Sequence, residues 1–164
     1  MVDKVHYTWK DIEHMITTIN NLMYADNWRP DYIVGLTRGG LVPATIMSNT
    51  TGIKMYALDV RFRDVDKDND PESNKRMAAD AYAGKNILVF DDINDSGRTF
   101  QWIKDDWKID WGTNVRTAAL VDNGASNFGE VDYTALEINK AEKNVWVVFP
   151  WEGERHYGNI WHWN

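Results

Sequence analysis

The segment Ile87-Leu88-Val89-Phe90-Asp91-Asp92-Ile93-Asn94-Asp95-Ser96-Gly97-Arg98-Thr99 is an apolar run that ends in two adjacent carboxylates and continues into an acid, hydroxyl, glycine and arginine loop. At a strand end, Asp91 and Asp92 can accept hydrogen bonds from vicinal sugar hydroxyls or help to hold a hydrated Mg²⁺. Ser96, Gly97, Arg98 and Thr99 offer hydroxyls and backbone N–H groups at the start of a helix, which is an anion site. A pentose with hydroxyls on one side and a 5′-phosphate on the other has that spacing requirement. Either half alone also reads as something blander, the acids as a solvated turn and residues 95 to 99 as a helix cap. From the residues alone both readings stay open.

A second chemical segment is Thr37-Arg38-Gly39-Gly40. Paired glycines after a strand let backbone N–H groups turn toward an anion, and Arg38 adds a charged fork for phosphate oxygens. Alone, the same residues are compatible with a tight turn and a surface arginine. In open α/β sheets the ligand sits beyond the carboxyl ends of the strands, and here two such ends carry this chemistry.

The elements that must position these residues follow from periodicity. Thr8, followed three residues later by Asp11, is a capping arrangement, and Ile12, Met15, Ile16, Ile19, Leu22 and Met23 recur at helical spacing, which predicts a helix over residues 9 to 25. Residues 32 to 36 are a short apolar run suited to a buried strand. A helix is expected from Leu41, with Pro43 tolerable in its first turn and Gly52 past its end. Residues 54 to 62 read as a second strand. Residues 63 to 74 contain Asp64, Asp66, Asp68, Asp70, Pro71 and Glu72 with almost nothing apolar, and read as a long loop of the kind that forms lids. Residues 87 to 90 are the clearest buried strand, a helix follows over about residues 98 to 108, and further strands are expected at 115 to 121, 133 to 138 and 145 to 149. This alternation predicts an α/β fold with a mainly parallel central sheet flanked by helices.

A chain of 164 residues fits a single domain spanning residues 1 to 164. The net charge of −7 argues against a broad nucleic-acid face, which needs clustered Lys and Arg. Without cysteine there is neither a disulfide framework nor a thiolate metal site, which suits a reducing cytosol. No apolar signal core opens the chain and no run approaches a membrane span, so a soluble, cytoplasmic protein with no membrane partner is expected. His156 and His162 lie in a Trp-rich tail that reads as packing on the domain or on a second subunit rather than as a metal site. A homodimer or homotetramer is expected.

The string over residues 87 to 99 resembles the phosphoribosyl-pyrophosphate (PRPP) signature of the type I phosphoribosyltransferases: four apolar residues, two acids, two variable residues, then a small loop of the form Asp-Ser/Thr-Gly-x-Thr. Gly35-Leu36-Thr37-Arg38-Gly39-Gly40-Leu41-Val42-Pro43 is similar to the pyrophosphate loop of the bacterial xanthine-guanine members, and Val145-Trp146-Val147-Val148-Phe149-Pro150-Trp151-Glu152 to their hood segment. The resemblance covers roughly residues 5 to 152 and is specific in these three segments. It implies the type I phosphoribosyltransferase fold, with residues 131 to 164 as a small C-terminal hood and tail. It also implies that Asp91, Asp92, Asp95, Ser96, Gly97, Arg98 and Thr99 bind the ribose and phosphate of PRPP, with Asp91 and Asp92 serving a Mg²⁺ cofactor. By the same match Thr37, Arg38, Gly39 and Gly40 take the pyrophosphate, around a non-proline cis peptide at Thr37-Arg38. Trp146 stacks on the base, Val147 supplies backbone contacts, and Asp95 lies near purine N7 as the catalytic general acid/base.

The resemblance thus implies transfer of the 5-phosphoribosyl group from PRPP to a free nucleobase, with release of pyrophosphate. Members acting on 6-oxopurines usually have Asp at the position matched by Asp95, so the resemblance implies guanine, xanthine or hypoxanthine as the acceptor. Two departures bear on this. Members acting on 6-oxopurines usually carry a Lys for the 6-oxo group on the strand after the signature helix, whereas this chain has Leu120-Val121-Asp122-Asn123. Asn123 can still donate to a carbonyl oxygen and is taken as a base contact, while Asp122 would favour a donor on the base. The loop over residues 62 to 76, expected to close and exclude water, lacks the group's Ser-Tyr pair, and Arg61, Phe62 and Arg63 stand near its start. The alternatives are a transferase for a different base, and a non-catalytic PRPP-sensing regulator of the same fold, which the acidic balance and Asp95 count against. A hydrolase using Asp91 as nucleophile would want acid, one residue, acid rather than adjacent acids.

Overall fold

Strand β1 (Asp3–His6) leads into helix α1 (Trp9–Ala25), which starts at a reciprocal capping box. The Asp11 N–H donates to Thr8 Oγ1 at 3.2 Å and the Thr8 N–H donates to the Asp11 carboxylate at 2.7 Å, so two helix-end donors are satisfied together. These bonds hold the Asp11 carboxyl below its ordinary pKa, the Thr8 backbone contact being the main cause. The structure is a computed structural model describing residues 2–60, 71–108, 114–129 and 131–152. The remaining elements are β2 (Tyr32–Leu36), α2 (Leu41–Thr51), β3 (Lys54–Leu58), α3 (Pro71–Tyr82), β4 (Ile87–Asn94), α4 (Arg98–Trp107), β5 (Val115–Asn123), β6 (Tyr133–Ile138) and β7 (Val145–Val148).

Five strands form a parallel sheet in the order β3-β2-β4-β5-β6. Its two faces are each covered, which is why the central strands are continuous apolar runs rather than alternating ones. On one face Ile16, Ile19 and Met47 of α1 and α2 pack with Ile33, Leu88 and Phe90. On the other, Met77, Phe100 and Ile103 of α3 and α4 pack with Val34, Val89 and Ala119. The α/β expectation with a mainly parallel, helix-flanked sheet therefore holds. No helix among the described residues is long and apolar enough to cross a membrane.

Several details differ from expectation. Residues 71 to 74, expected in the loop, open α3, a helix whose acidic start conceals the apolar face carried by Met77 and Ala81. Residues 61–70, which hold most of the expected lid, and the tail from residue 153 with His156 and His162 lie outside the described residues. Strand β4 runs four residues past its apolar core, so Asp91 and Asp92 belong to its last turn of pleat. Strand β1 carries no apolar period and exists through parallel pairing with β7, with Trp146 opposite Lys4 and Val147 opposite Val5. Strand β6, within the span expected to form the hood, is the edge of the central sheet.

The chain steps from β2 outward to β3 and then returns to β4 on the other side of β2. That reversal leaves a crevice between the carboxyl ends of β2 and β4, the place where open α/β sheets bind ligands.

Candidate active site

The two chemical segments meet in this crevice. Gly35 of β2 is opposite Phe90 of β4, so the residues that follow, Thr37 to Gly40 and Asp91 to Asp92, stand side by side. Both glycines are required by this contact. A Cβ on Gly39 would fall 2.0 Å from Asp92 Oδ2, and one on Gly40 would fall 2.4 Å from the Phe90 carbonyl oxygen. The Thr37-Arg38 peptide is cis. The Thr37 N–H donates to the Leu58 carbonyl at 2.9 Å and its hydroxyl to Asp59 Oδ1 at 2.8 Å, which ties the loop to the end of β3, while Arg38 is exposed.

The acid pair is internally bonded. The Asp92 N–H donates to Asp91 Oδ1 at 2.9 Å and the Ile93 N–H to Asp92 Oδ1 at 2.8 Å. Burial pushes the Asp91 carboxyl well above the usual range, with the Asp92 charge adding to it. Burial also raises Asp92, and the Glu152 carboxylate contributes repulsion. The two titrate as a unit that keeps a proton to higher pH than free aspartates do. Between the unfolded value of about 3.9 and the raised native value, the native pair binds more protons, so its contribution to ligand-free stability is complete in acid and falls as pH rises through that window. Asp92→Asn, which keeps an acceptor for the Ile93 N–H, is therefore expected to raise the ligand-free Tm at pH 8 and to leave it nearly unchanged near pH 4. Thermal melts at the two pH values check this, and a variant less stable than the parent at pH 8 would contradict it.

Beside the pair, residues 95 to 99 turn into α4 around Gly97, whose φ of +84° suits glycine. A Cβ there would also fall 2.4 Å from the Phe128 nitrogen. The cavity at this turn is about 90 Å³ and is lined by Asp91, Asp95 and residues 96 to 99 among others. That is well below the roughly 300–1,000 Å³ of pockets that swallow drug-sized ligands.

Asn94, read from sequence as a variable position, holds this loop in place. It is buried, and its Nδ2 donates to Asp122 Oδ1 at 2.7 Å, Ser126 Oγ at 2.9 Å and the Phe128 carbonyl at 2.9 Å. Asp122 is thus held by β4 rather than offered to a ligand. Asn94→Ala should cost roughly 1–3 kcal/mol, because buried acceptors lose their donor, and should lower Tm by several degrees in thermal unfolding.

The base side departs from the sequence expectation in its wiring. Asn123 is buried, and both of its side-chain polar atoms are engaged within the protein. Its Nδ2 donates to the Asp95 carbonyl at 2.9 Å, while its Oδ1 accepts the N–H groups of Ala125 at 3.2 Å and Lys140 at 3.0 Å. Lys140, which the sequence did not single out, places its Nζ 2.9 Å from Asp95 Oδ1 and 6.0 Å from the centre of the Trp146 ring. Trp146 is 56% exposed between buried Val145 and Val147, so its ring stands out from β7. Trp146 and Asp95 are thereby linked through one ammonium group.

A doubly covered parallel sheet with an acid pair, a glycine loop and a small cavity at its switch point defines an α/β protein of the kind that binds ligands beyond the carboxyl ends of its strands. The chain belongs to the phosphoribosyl transferase domain family, which matches residues 2–155, and it is a transferase of that family. It is 30% identical over 134 residues to a xanthine-guanine phosphoribosyltransferase of Cereibacter sphaeroides, covering 79% of this chain and 72% of that protein. The purine phosphoribosyltransferase structure from Pyrococcus horikoshii shares the fold with a TM-score of 0.67 at 24% identity, over 93% of this chain and 96% of that one. A Neisseria gonorrhoeae protein solved with bound ppGpp does so with a TM-score of 0.70 at 20% identity, over 96% and 94%. The type I phosphoribosyltransferase fold expected from the sequence is thus present.

Proposed function

We propose that the protein transfers the 5-phosphoribosyl group of PRPP to a 6-oxopurine, releasing pyrophosphate. The observation that carries this reading is the packing of Gly39 against Asp92, with the residue 96–99 cradle beside them, at the switch point of the sheet. The cradle takes the 5′-phosphate, Asp91 and Asp92 take the ribose hydroxyls, and Thr37 to Gly40 with Arg38 take the pyrophosphate. In the reaction the bond from C1′ to the pyrophosphate oxygen breaks, the bond from C1′ to base N9 forms, and the N7 proton passes to Asp95. Positive charge develops on the sugar and negative charge on the leaving group, which Arg38 and the loop donors stabilise.

The acid pair fits Mg²⁺ held largely by non-protein oxygens. Two adjacent carboxylates repel each other, no group of three or more acidic or imidazole side chains gathers at a metal site among the described residues, and Mg²⁺ keeps several waters and binds with substrate phosphates. Such an ion would neutralise pyrophosphate charge. Strands β1 and β7 form the hood, on which Trp146 stacks with the base and Val147 offers its backbone.

The test is incubation with PRPP, Mg²⁺ and a panel of free bases, with nucleotide and pyrophosphate as readouts. Product from guanine, xanthine or hypoxanthine is expected. PRPP binding without product from any base would overturn the catalytic reading, and product from pyrimidines alone would overturn the purine assignment.

A further inference from the structure

We infer that Lys140 determines the choice of base, by donating its ammonium to the carbonyl oxygen of a 6-oxopurine stacked on Trp146; the inference rests on the transfer reaction proposed above. The β5 end, where a lysine was expected, carries Asn123, and the amide of Asn123 does not face outward. It holds the backbone on both sides of the gap: the Asp95 carbonyl at 2.9 Å and the Lys140 N–H at 3.0 Å. Asn123 thereby fixes the connection after β6 next to the catalytic loop, and the Gly124 N–H to Ile138 carbonyl bond of 2.8 Å reinforces it.

The side chain so placed is unusual for a lysine, a residue type ordinarily exposed. Its side chain is 19% exposed, its Nζ lies 2.9 Å from Asp95 Oδ1, and the Trp146 face is 6.0 Å away. One edge of a 6-oxopurine presents N7 and O6 side by side, whereas adenine presents N7 beside an N6 amino donor. A carboxylate and an ammonium in contact match the first edge, in the free base, when N7 carries its proton: Asp95 accepts from N7–H and Lys140 donates to O6. Against adenine, the ammonium would oppose the amino group, and a site built to donate to an oxygen discriminates strongly against an analogue that lacks it. Lys140 reaches the base from the β6–β7 connection rather than from the end of β5.

The experiment compares the parent, Lys140→Met and Lys140→Arg in competition between guanine and adenine, together with GMP, AMP and PRPP binding. For Lys140→Met we expect KM for guanine to rise at least tenfold, the guanine-to-adenine ratio of kcat/KM to collapse by a similar factor, GMP to lose its advantage over AMP, and PRPP affinity to stay unchanged. Lys140→Arg should recover part of the preference. If Lys140 only clamped Asp95, kcat would fall equally for every base with the ratio and GMP binding preserved, and that result overturns the inference. If the parent binds PRPP but converts no base, the transfer reading itself fails and this inference falls with it.

Discussion

Asp95→Asn is expected to lower kcat by about 10²–10⁴-fold, the usual worth of a positioned general acid or base, while PRPP affinity changes little. The substitution is close to isosteric and removes the ability to accept a proton. The loop should keep its shape, because Asn123 grips the Asp95 backbone carbonyl rather than depending on its charge, and Asn94 anchors the neighbouring strand end. The side chain is exposed, and the ion pair it loses with Lys140 is of the near-surface kind that contributes little to stability, so folding should be little affected. Asp91, Asp92 and the residue 96–99 cradle are untouched by the substitution, and on the proposed reading they should continue to hold the donor. Steady-state kinetics with a 6-oxopurine, paired with calorimetric titration of PRPP, separate the two effects. Equal loss of turnover and donor binding would show that Asp95 belongs to the sugar-phosphate site instead.

The second large effect is expected at Gly39. A Cβ there would lie 2.0 Å from Asp92 Oδ2 and 2.4 Å from its Cγ, so Gly39→Ala must displace the Asp92 carboxylate. The atoms in the way are the end of one side chain, which can rotate, and the structural cost therefore falls on the site rather than on the fold. Misplacing a positioning group by about 1 Å costs roughly 10²-fold in rate, and here PRPP affinity should fall with it. Gly40→Ala is the informative contrast. Its Cβ would meet backbone, the Phe90 oxygen at 2.4 Å and Asp91 Cα at 2.9 Å, which cannot rotate away. That variant should lose both activity and thermal stability, whereas Gly39→Ala should keep a Tm near the parent's. A Gly39→Ala protein with normal kcat/KM would mean that Asp92 does not contact the substrate.

Most of the individual elements were legible because their signals are local. The Thr8 and Asp11 spacing, the α1 periodicity and the apolar run ending at Asp91 each depend on a few adjacent residues. Helix α3 and strand β1 were not legible, for opposite reasons. The acidic start of α3 outweighs its few buried apolar residues, and β1 has no pattern of its own, being a strand through its register with β7.

The same division runs through the site. By itself the sequence determined which residues are candidates for binding a sugar phosphate, because strand-end acids, a glycine turn and a helix start are adjacent along the chain between Asp91 and Thr99. Tertiary structure alone decided that Thr37 to Gly40 would lie against Asp92, since that depends on β2 and β4 being neighbours while β3 lies outside them. It also decided that Asn123 would turn inward and that Lys140, 17 residues later, would stand beside Asp95. Strand order and the path of a connection are set by long-range packing, whose energy is spread over many side chains and leaves no short-range mark on the sequence.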